Sequence, residues 1–144
     1  GMTLEKDSIM PEAPSTTQRH VFVYGTLRRG DDNDITRLKP EPLFVGSAAI
    51  AGTLYDLGAY PGIRLGGEGL VHGEVYAIAL ELEEQLDEIE ELYPQQRDEY
   101  FKRIVPVAVQ GRTFACIVYE INPKYVVGRA ILAGGDWSRE RSRK

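Results

Sequence analysis

Apolar residues in this chain come in short runs broken by glycine, proline and charge, and most of the runs have the period of strands. Residues 20–24 carry Val21-Phe22-Val23-Tyr24, a continuous apolar run that predicts a buried strand. Gly25 breaks it, and Thr26-Leu27-Arg28-Arg29-Gly30 turns polar and basic. A glycine at a strand end permits unusual backbone geometry or close approach of a ligand. Residues 44–57 predict one long strand or two, with Gly46 and Gly52 marking bulges or close packing. Residues 58–69 hold five glycines and a Pro-Gly pair and predict a loop or hairpin connection. Residues 70–80 alternate, with Val71, Gly73, Val75, Ala77 and Ala79 on one face and His72, Glu74, Tyr76 and Ile78 on the other.

One segment has helical spacing. Leu82, Leu86, Ile89 and Tyr93 recur at three- and four-residue intervals across 80–92, and Pro94 predicts the end at Tyr93. Asp31, Asp32, Asn33 and Asp34 offer several N-caps for about one helical turn at 35–38. Two further strands, 100–109 and 113–121, are joined by Gln110-Gly111-Arg112 as a hairpin turn. Pro106 suits an edge strand or a bulge. Gly134-Gly135-Asp136-Trp137 predicts a closing turn with a buriable aromatic. The pattern is that of an α+β domain with about six strands and one clear helix.

The helix is acidic, and position separates its acids. At about 100° per residue, with Leu82 at zero, Leu86, Ile89 and Tyr93 cluster within about 40° of it. Glu90 falls at about 80°, nearest the buried stripe. Glu83, Asp87, Glu91, Glu84 and Glu88 lie farther round and predict a solvated face. A carboxylate at the edge of a core is costly unless paired or protonated, and its pKa tends to rise. Such a group can shuttle protons near neutrality. The structural alternative is that Glu90 reaches solvent or pairs with a base such as Arg97.

Composition narrows the classes. The 144 residues suit one domain: a polar tail at 1–19, a folded domain at 20–137 and a basic tail at 138–144. A net charge of −5 argues against nucleic acid as a partner. A single cysteine, Cys116, excludes an internal disulfide and predicts a buried inert thiol. The two histidines lack metal-ligand spacing. With no apolar stretch near the roughly 20 residues of a membrane span and no secretion signal, the expected compartment is cytoplasmic, with no membrane partner. Oligomeric state is left open.

Tyr24-Gly25-Thr26-Leu27-Arg28 after an apolar strand resembles the opening motif of the gamma-glutamylcyclotransferase-like family, which includes the AIG2-like proteins and gamma-glutamylamine cyclotransferases. Leu86-Asp87-Glu88-Ile89-Glu90 is similar to that family's Leu-Asp-x-x-Glu motif, although Glu91 stands where the family usually has Gly. Leu54-Tyr55-Asp56-Leu57-Gly58-Ala59-Tyr60-Pro61-Gly62, Val71-His72-Gly73-Glu74-Val75-Tyr76, Tyr100-Phe101-Lys102-Arg103, Ala115-Cys116-Ile117-Val118-Tyr119 and Gly135-Asp136-Trp137 follow in family order. The resemblance spans about residues 20–137. It implies a small, mostly antiparallel twisted β-barrel with a few packed helices.

The implied reaction closes a gamma-glutamyl group to 5-oxoproline and releases an amine or amino acid, with no metal or cofactor. The implied catalytic acid/base is Glu90, and the implied substrate-binding residues are Tyr24, Gly25, Thr26, Leu27 and Tyr100. Tyr100 reads equally as core packing, and facing inward it would send Arg103 to the other face. Tyr55, Tyr60, Tyr76 and Tyr119 read as core or rim. The basic Arg28 and Arg29 would suit an acidic leaving group. The competing class is a non-catalytic module that binds a small metabolite in the same cavity.

Overall fold

The computed structural model describes residues 18–92 and 98–137, apart from the side chains at 90–92. Six strands form one sheet: β1 (Gln18–Val23), β2 (Leu43–Asp56), β3 (Pro61–Ala79), β4 (Tyr100–Val109), β5 (Arg112–Ile121) and β6 (Ala130–Ile131). The spatial order is β4-β5-β1-β3-β2-β6. β1 runs antiparallel to β3 and parallel to β5, while β2–β3, β2–β6 and β4–β5 are antiparallel. The helix α1 (Leu80–Leu92) follows β3 directly.

The neighbouring strands β1 and β5, each covered on both faces, explain the continuous apolar runs. β1 and the residue that follows it send Phe22 and Tyr24 to one core, with Val71, Val75, Val107, Cys116, Val118 and Trp137. β1 sends Val21 and Val23 to a second core on the opposite face, with Tyr76, Ile78, Leu82, Leu86, Ile117 and Tyr119. A strand covered on both faces needs apolar residues at every position rather than at alternate ones. Leu82 and Leu86 dock α1 on the second core and are fully buried. Cys116 is also fully buried, and burial pushes its thiol pKa up to about 11.

The sheet curls without closing. A Cβ on Gly46 of β2 would lie 2.5 Å from Cγ1 of Val109 on β4, so these strands touch. Among the described residues no ladder joins them, and the expected barrel is an open, curled sheet.

β2 is a single strand with register shifts at Phe44/Gly46 and Ala51/Gly52, the two glycine positions. The glycine-rich segment 58–69 is the expected hairpin connection only at its start, where residues 57–60 turn β2 into β3. β3 begins at Pro61, and residues 61–65 pair with 52–56 of β2. Between Leu65 and Leu70 the chain leaves the ladder, with Gly66 and Gly67 at φ +93° and +85°. Hairpin pairing with β2 thus holds residues 61–65 extended and leaves Gly66, Gly67 and Gly69 to a bulge. Gln110 and Gly111, both at positive φ, make the β4–β5 turn, and Pro106 sits on the edge strand β4.

Candidate functional site

β1 stops at Val23, and beyond its end β3 and β5 converge at Ile63 and Glu120. The next residue stitches the gap. The Tyr24 hydroxyl donates to the Tyr119 carbonyl oxygen at 2.7 Å and accepts from the Ile63 N–H at 3.2 Å. A pocket opens at this strand end, with about 490 Å³ of empty space when the open solvent at its mouth is included. Tyr24, Gly25, Thr26 and Leu27 form one wall, Tyr60, Pro61 and Tyr100 another, and Ile89 of α1 and Tyr119 of β5 complete it.

The loop after β1 turns its carbonyls inward. Arg28 N–H donates to Gly25 O, Asn33 N–H to Thr26 O and Ile35 N–H to Leu27 O, at 2.8–3.0 Å. In a planar trans peptide the N–H points opposite to the preceding C=O. Burying the Gly25 and Thr26 carbonyls in the loop therefore aims the N–H groups of Thr26 and Leu27 outward from it. Asn33 Nδ2 donates to Thr26 Oγ1, and Asp34 accepts from Gly30 N and caps the 3₁₀ turn Ile35–Arg37 through Thr36 N.

Arg28 does not supply free positive charge to the pocket. Its Nε lies 3.2 Å from Glu74 Oε2 and its Nη1 2.7 Å from Asp136 Oδ1, while Glu74 Oε1 also accepts from Arg29 N and the Tyr76 hydroxyl. This network clamps the loop to β3 and to the turn before Trp137. Arg29 stacks over the Phe44 ring. The expectation that Arg28 and Arg29 suit an acidic leaving group is not met, because neither lines the pocket and Arg28 is already paired.

Tyr100 lines the pocket, and its hydroxyl donates to the Pro61 carbonyl oxygen at 2.9 Å. Arg103 is on the other face, paired with the buried Glu120, which also forms an ion pair with Arg64 and accepts from Leu65 N–H. Tyr60 and Tyr119, read from sequence as core or rim, are both pocket residues. Glu90 lies in the last turn of α1, one residue beyond Ile89, but its side chain falls outside the described residues, as does Arg97.

Asp87 and Glu99 depart from the sequence reading, as does Glu83, which is largely covered and paired with Arg19 and Lys102. Asp87 belongs to the face predicted to be solvated, yet it accepts from the Tyr119 hydroxyl at 2.6 Å and from Lys102 Nζ at 2.9 Å. Glu99, which carries no periodic signal in the sequence, is 2% exposed. Its Oε2 accepts from the Tyr60 hydroxyl at 2.7 Å, and its Oε1 is buried with no hydrogen-bond partner among the described residues. Burial raises the Glu99 pKa, against the opposing effects of the Tyr60 bond and the Arg129 charge. Among the described residues no cluster of His, Cys, Asp or Glu is placed to hold a metal ion, and no helix is long and apolar enough to cross a membrane.

Comparison with known proteins bears on the same segments. YkqA from Bacillus subtilis superposes with a TM-score of 0.68 at 24% identity, over 86% of this chain and 41% of that one, a likeness of fold. An AIG2-like protein from Mus musculus superposes with a TM-score of 0.64 at 27% identity, over 76% of this chain and 82% of that one. A gamma-L-glutamyl-butirosin B gamma-glutamyl cyclotransferase from Niallia circulans is 41% identical over 87 residues, 59% of this chain. The match spans about half of that relative's length, 54%. The family model for gamma-glutamyl cyclotransferase, AIG2-like, matches residues 21–139, from the middle of β1 to beyond Trp137. With loop, helix and pocket strands all inside that match, the chain belongs to the AIG2-like gamma-glutamyl cyclotransferase family.

Proposed function

We propose that this chain cyclises the gamma-glutamyl group of a small amine or dipeptide to 5-oxoproline, releasing the amine. The observation that carries this reading is the juxtaposition of Tyr24–Leu27, Ile89 and Tyr100 around one pocket, within a segment that matches the family throughout. In the reaction the substrate α-ammonium loses a proton and its nitrogen attacks the γ-carbonyl carbon. The tetrahedral oxyanion then collapses with cleavage of the original C–N bond, and the leaving nitrogen takes a proton. One carboxylate at the right point can accept the first proton and deliver the second, and Glu90 is assigned that role. The Thr26 and Leu27 N–H groups are assigned to the oxyanion or to the substrate carboxylate, where fixed backbone donors need no reorganisation. Tyr100 and Tyr60 serve as walls that exclude water. The action is taken to be on small molecules in the cytoplasm, by the domain at 20–137 between the two tails.

The test is 5-oxoproline release from a panel of gamma-glutamyl amines and gamma-glutamyl dipeptides, with Glu90→Gln and Glu88→Gln alongside. The amide keeps shape and one acceptor but cannot exchange protons. Glu90→Gln is expected to lower kcat by about 10²–10⁴-fold with little change in substrate affinity, while exposed Glu88 tolerates the same change. Full turnover in Glu90→Gln would transfer the proton shuttle to another group. Tight binding of a gamma-glutamyl compound with no 5-oxoproline formed would make the protein a binding module.

A further inference from the structure

The apolar docking of α1 weakens before the turn that carries Glu90. Leu82 and Leu86 are fully buried, whereas Ile89 is only partly covered. Asp87 sits between them, and it is the point where three elements meet. Its Oδ1 accepts from the hydroxyl of Tyr119 on β5, a pocket residue 6% exposed, and its Oδ2 from Lys102 on β4. Lys102 is the ladder partner of Tyr119 and also donates to Glu83, one turn earlier on the helix. The Tyr119 backbone is held in turn by Tyr24, at the head of the pocket loop.

We propose that Asp87 is a positioning residue: by accepting from Tyr119 it sets the rotation and height of the final turns of α1 against the pocket, and so the placement of Glu90. This rests on the reading of Glu90 as the proton shuttle. Asp87 and Glu90 are three residues apart, so on a helix they are surface neighbours and move together. A carboxylate that serves two proton transfers must meet both nitrogens, and a displacement of about 1 Å in such a site can cost about 10²-fold in rate. A buried apolar contact cannot supply that precision, because it is non-directional, whereas a hydrogen bond to a carboxylate is short and oriented.

The experiment compares Asp87→Ala, Tyr119→Phe, their double variant and Lys102→Met in the full chain, using the gamma-glutamyl amines and dipeptides above, with amide hydrogen exchange on the same samples. Asp87→Ala and Tyr119→Phe are each expected to lower kcat by about ten- to a hundredfold with KM nearly unchanged, and the double variant to be no worse than either. Exchange should rise at 87–92 and stay unchanged at 82–86. Lys102→Met, which leaves the Tyr119 bond in place, should stay near the wild-type rate. Two results overturn the proposal: wild-type exchange at 87–92 in Tyr119→Phe, or wild-type kcat in both single variants. If Glu90→Gln still abolishes turnover in that second case, the positioning role alone has failed. Full turnover in Glu90→Gln would instead remove the reading on which the proposal rests, and with it the proposal.

Discussion

The hydroxyl of Tyr24 reaches the backbone of Tyr119, 95 positions later in the chain, and donates to its carbonyl oxygen at 2.7 Å. The Tyr24 hydroxyl oxygen also accepts from the Ile63 N–H, so one phenol closes the gap that β1 leaves between β3 and β5. The ring is 7% exposed. Tyr24→Phe keeps the ring and removes both bonds, leaving the Ile63 N–H without this acceptor. An unmade buried hydrogen bond costs about 1–3 kcal/mol, and the expected outcome is a fall of several degrees in Tm. Thermal unfolding followed by circular dichroism checks it, and an unchanged Tm would show that the phenol bridges nothing of consequence.

Gly25 packs against the first residue of β3. A Cβ built on it would lie 2.8 Å from Cγ and 2.9 Å from Cδ of Pro61, closer than carbon atoms can sit. The Pro61 ring is buried and its carbonyl oxygen is held by Tyr100, so the loop rather than the ring must give way. Gly25→Ala should therefore push the Thr26 and Leu27 N–H groups off their places. Overpacking of this kind costs about 1–3 kcal/mol, and the rate of 5-oxoproline release should fall by about 10²-fold through displacement of the loop. Measuring kcat/KM and Tm together separates the two effects. Wild-type kcat/KM in Gly25→Ala would remove the loop amides from the mechanism.

Glu99 makes stability depend on pH in a definite direction. Burial raises its pKa in the folded state, so folding takes up a proton between the unfolded carboxyl value, about 4.3, and the raised folded value. Its contribution is fully present below the unfolded pKa and is lost as pH rises through the folded one. Glu99→Gln stays neutral and retains an acceptor for the Tyr60 hydroxyl. The Tm of Glu99→Gln relative to wild type should therefore climb as pH rises above the unfolded carboxyl value, with its lowest value at the acid end. A difference that is flat with pH would mean that Glu99 titrates alike in the folded and unfolded chain.

Local patterns carried the elements whose cause is local. The 3.6-residue spacing of Leu82, Leu86 and Ile89 places α1 at Leu80–Leu92, because an amphipathic stripe needs only neighbouring turns. The Gln110-Gly111 turn between β4 and β5 follows from the positive φ that glycine accepts cheaply. The doubly covered strands β1 and β5 show themselves as unbroken apolar runs, and the late Trp137 as a buried aromatic, 2% exposed. The resemblance to the family was legible for a related reason, since it rests on short motifs in a fixed order.

What the tertiary structure decided is which of these pieces meet. Residues 58–69 have the composition of a loop, but pairing with β2 makes most of them strand and brings Tyr60 and Pro61 to the pocket. Asp87 has the helix position of a solvated acid, but the parallel pairing of β1 with β5 sets Tyr119 beneath it. Glu99 precedes an alternating strand and looks like any surface acid, yet the fold buries it behind Tyr60. Arg28 looks like free charge beside a ligand loop, yet Glu74 and Asp136 arrive from 46 and 108 positions away to claim it. Helical and strand periods report which face of an element is apolar, because that preference acts within a few residues. The partner that covers the face is chosen by chain pairing over tens of residues, and hydrogen bonds between side chains form only after that choice is made.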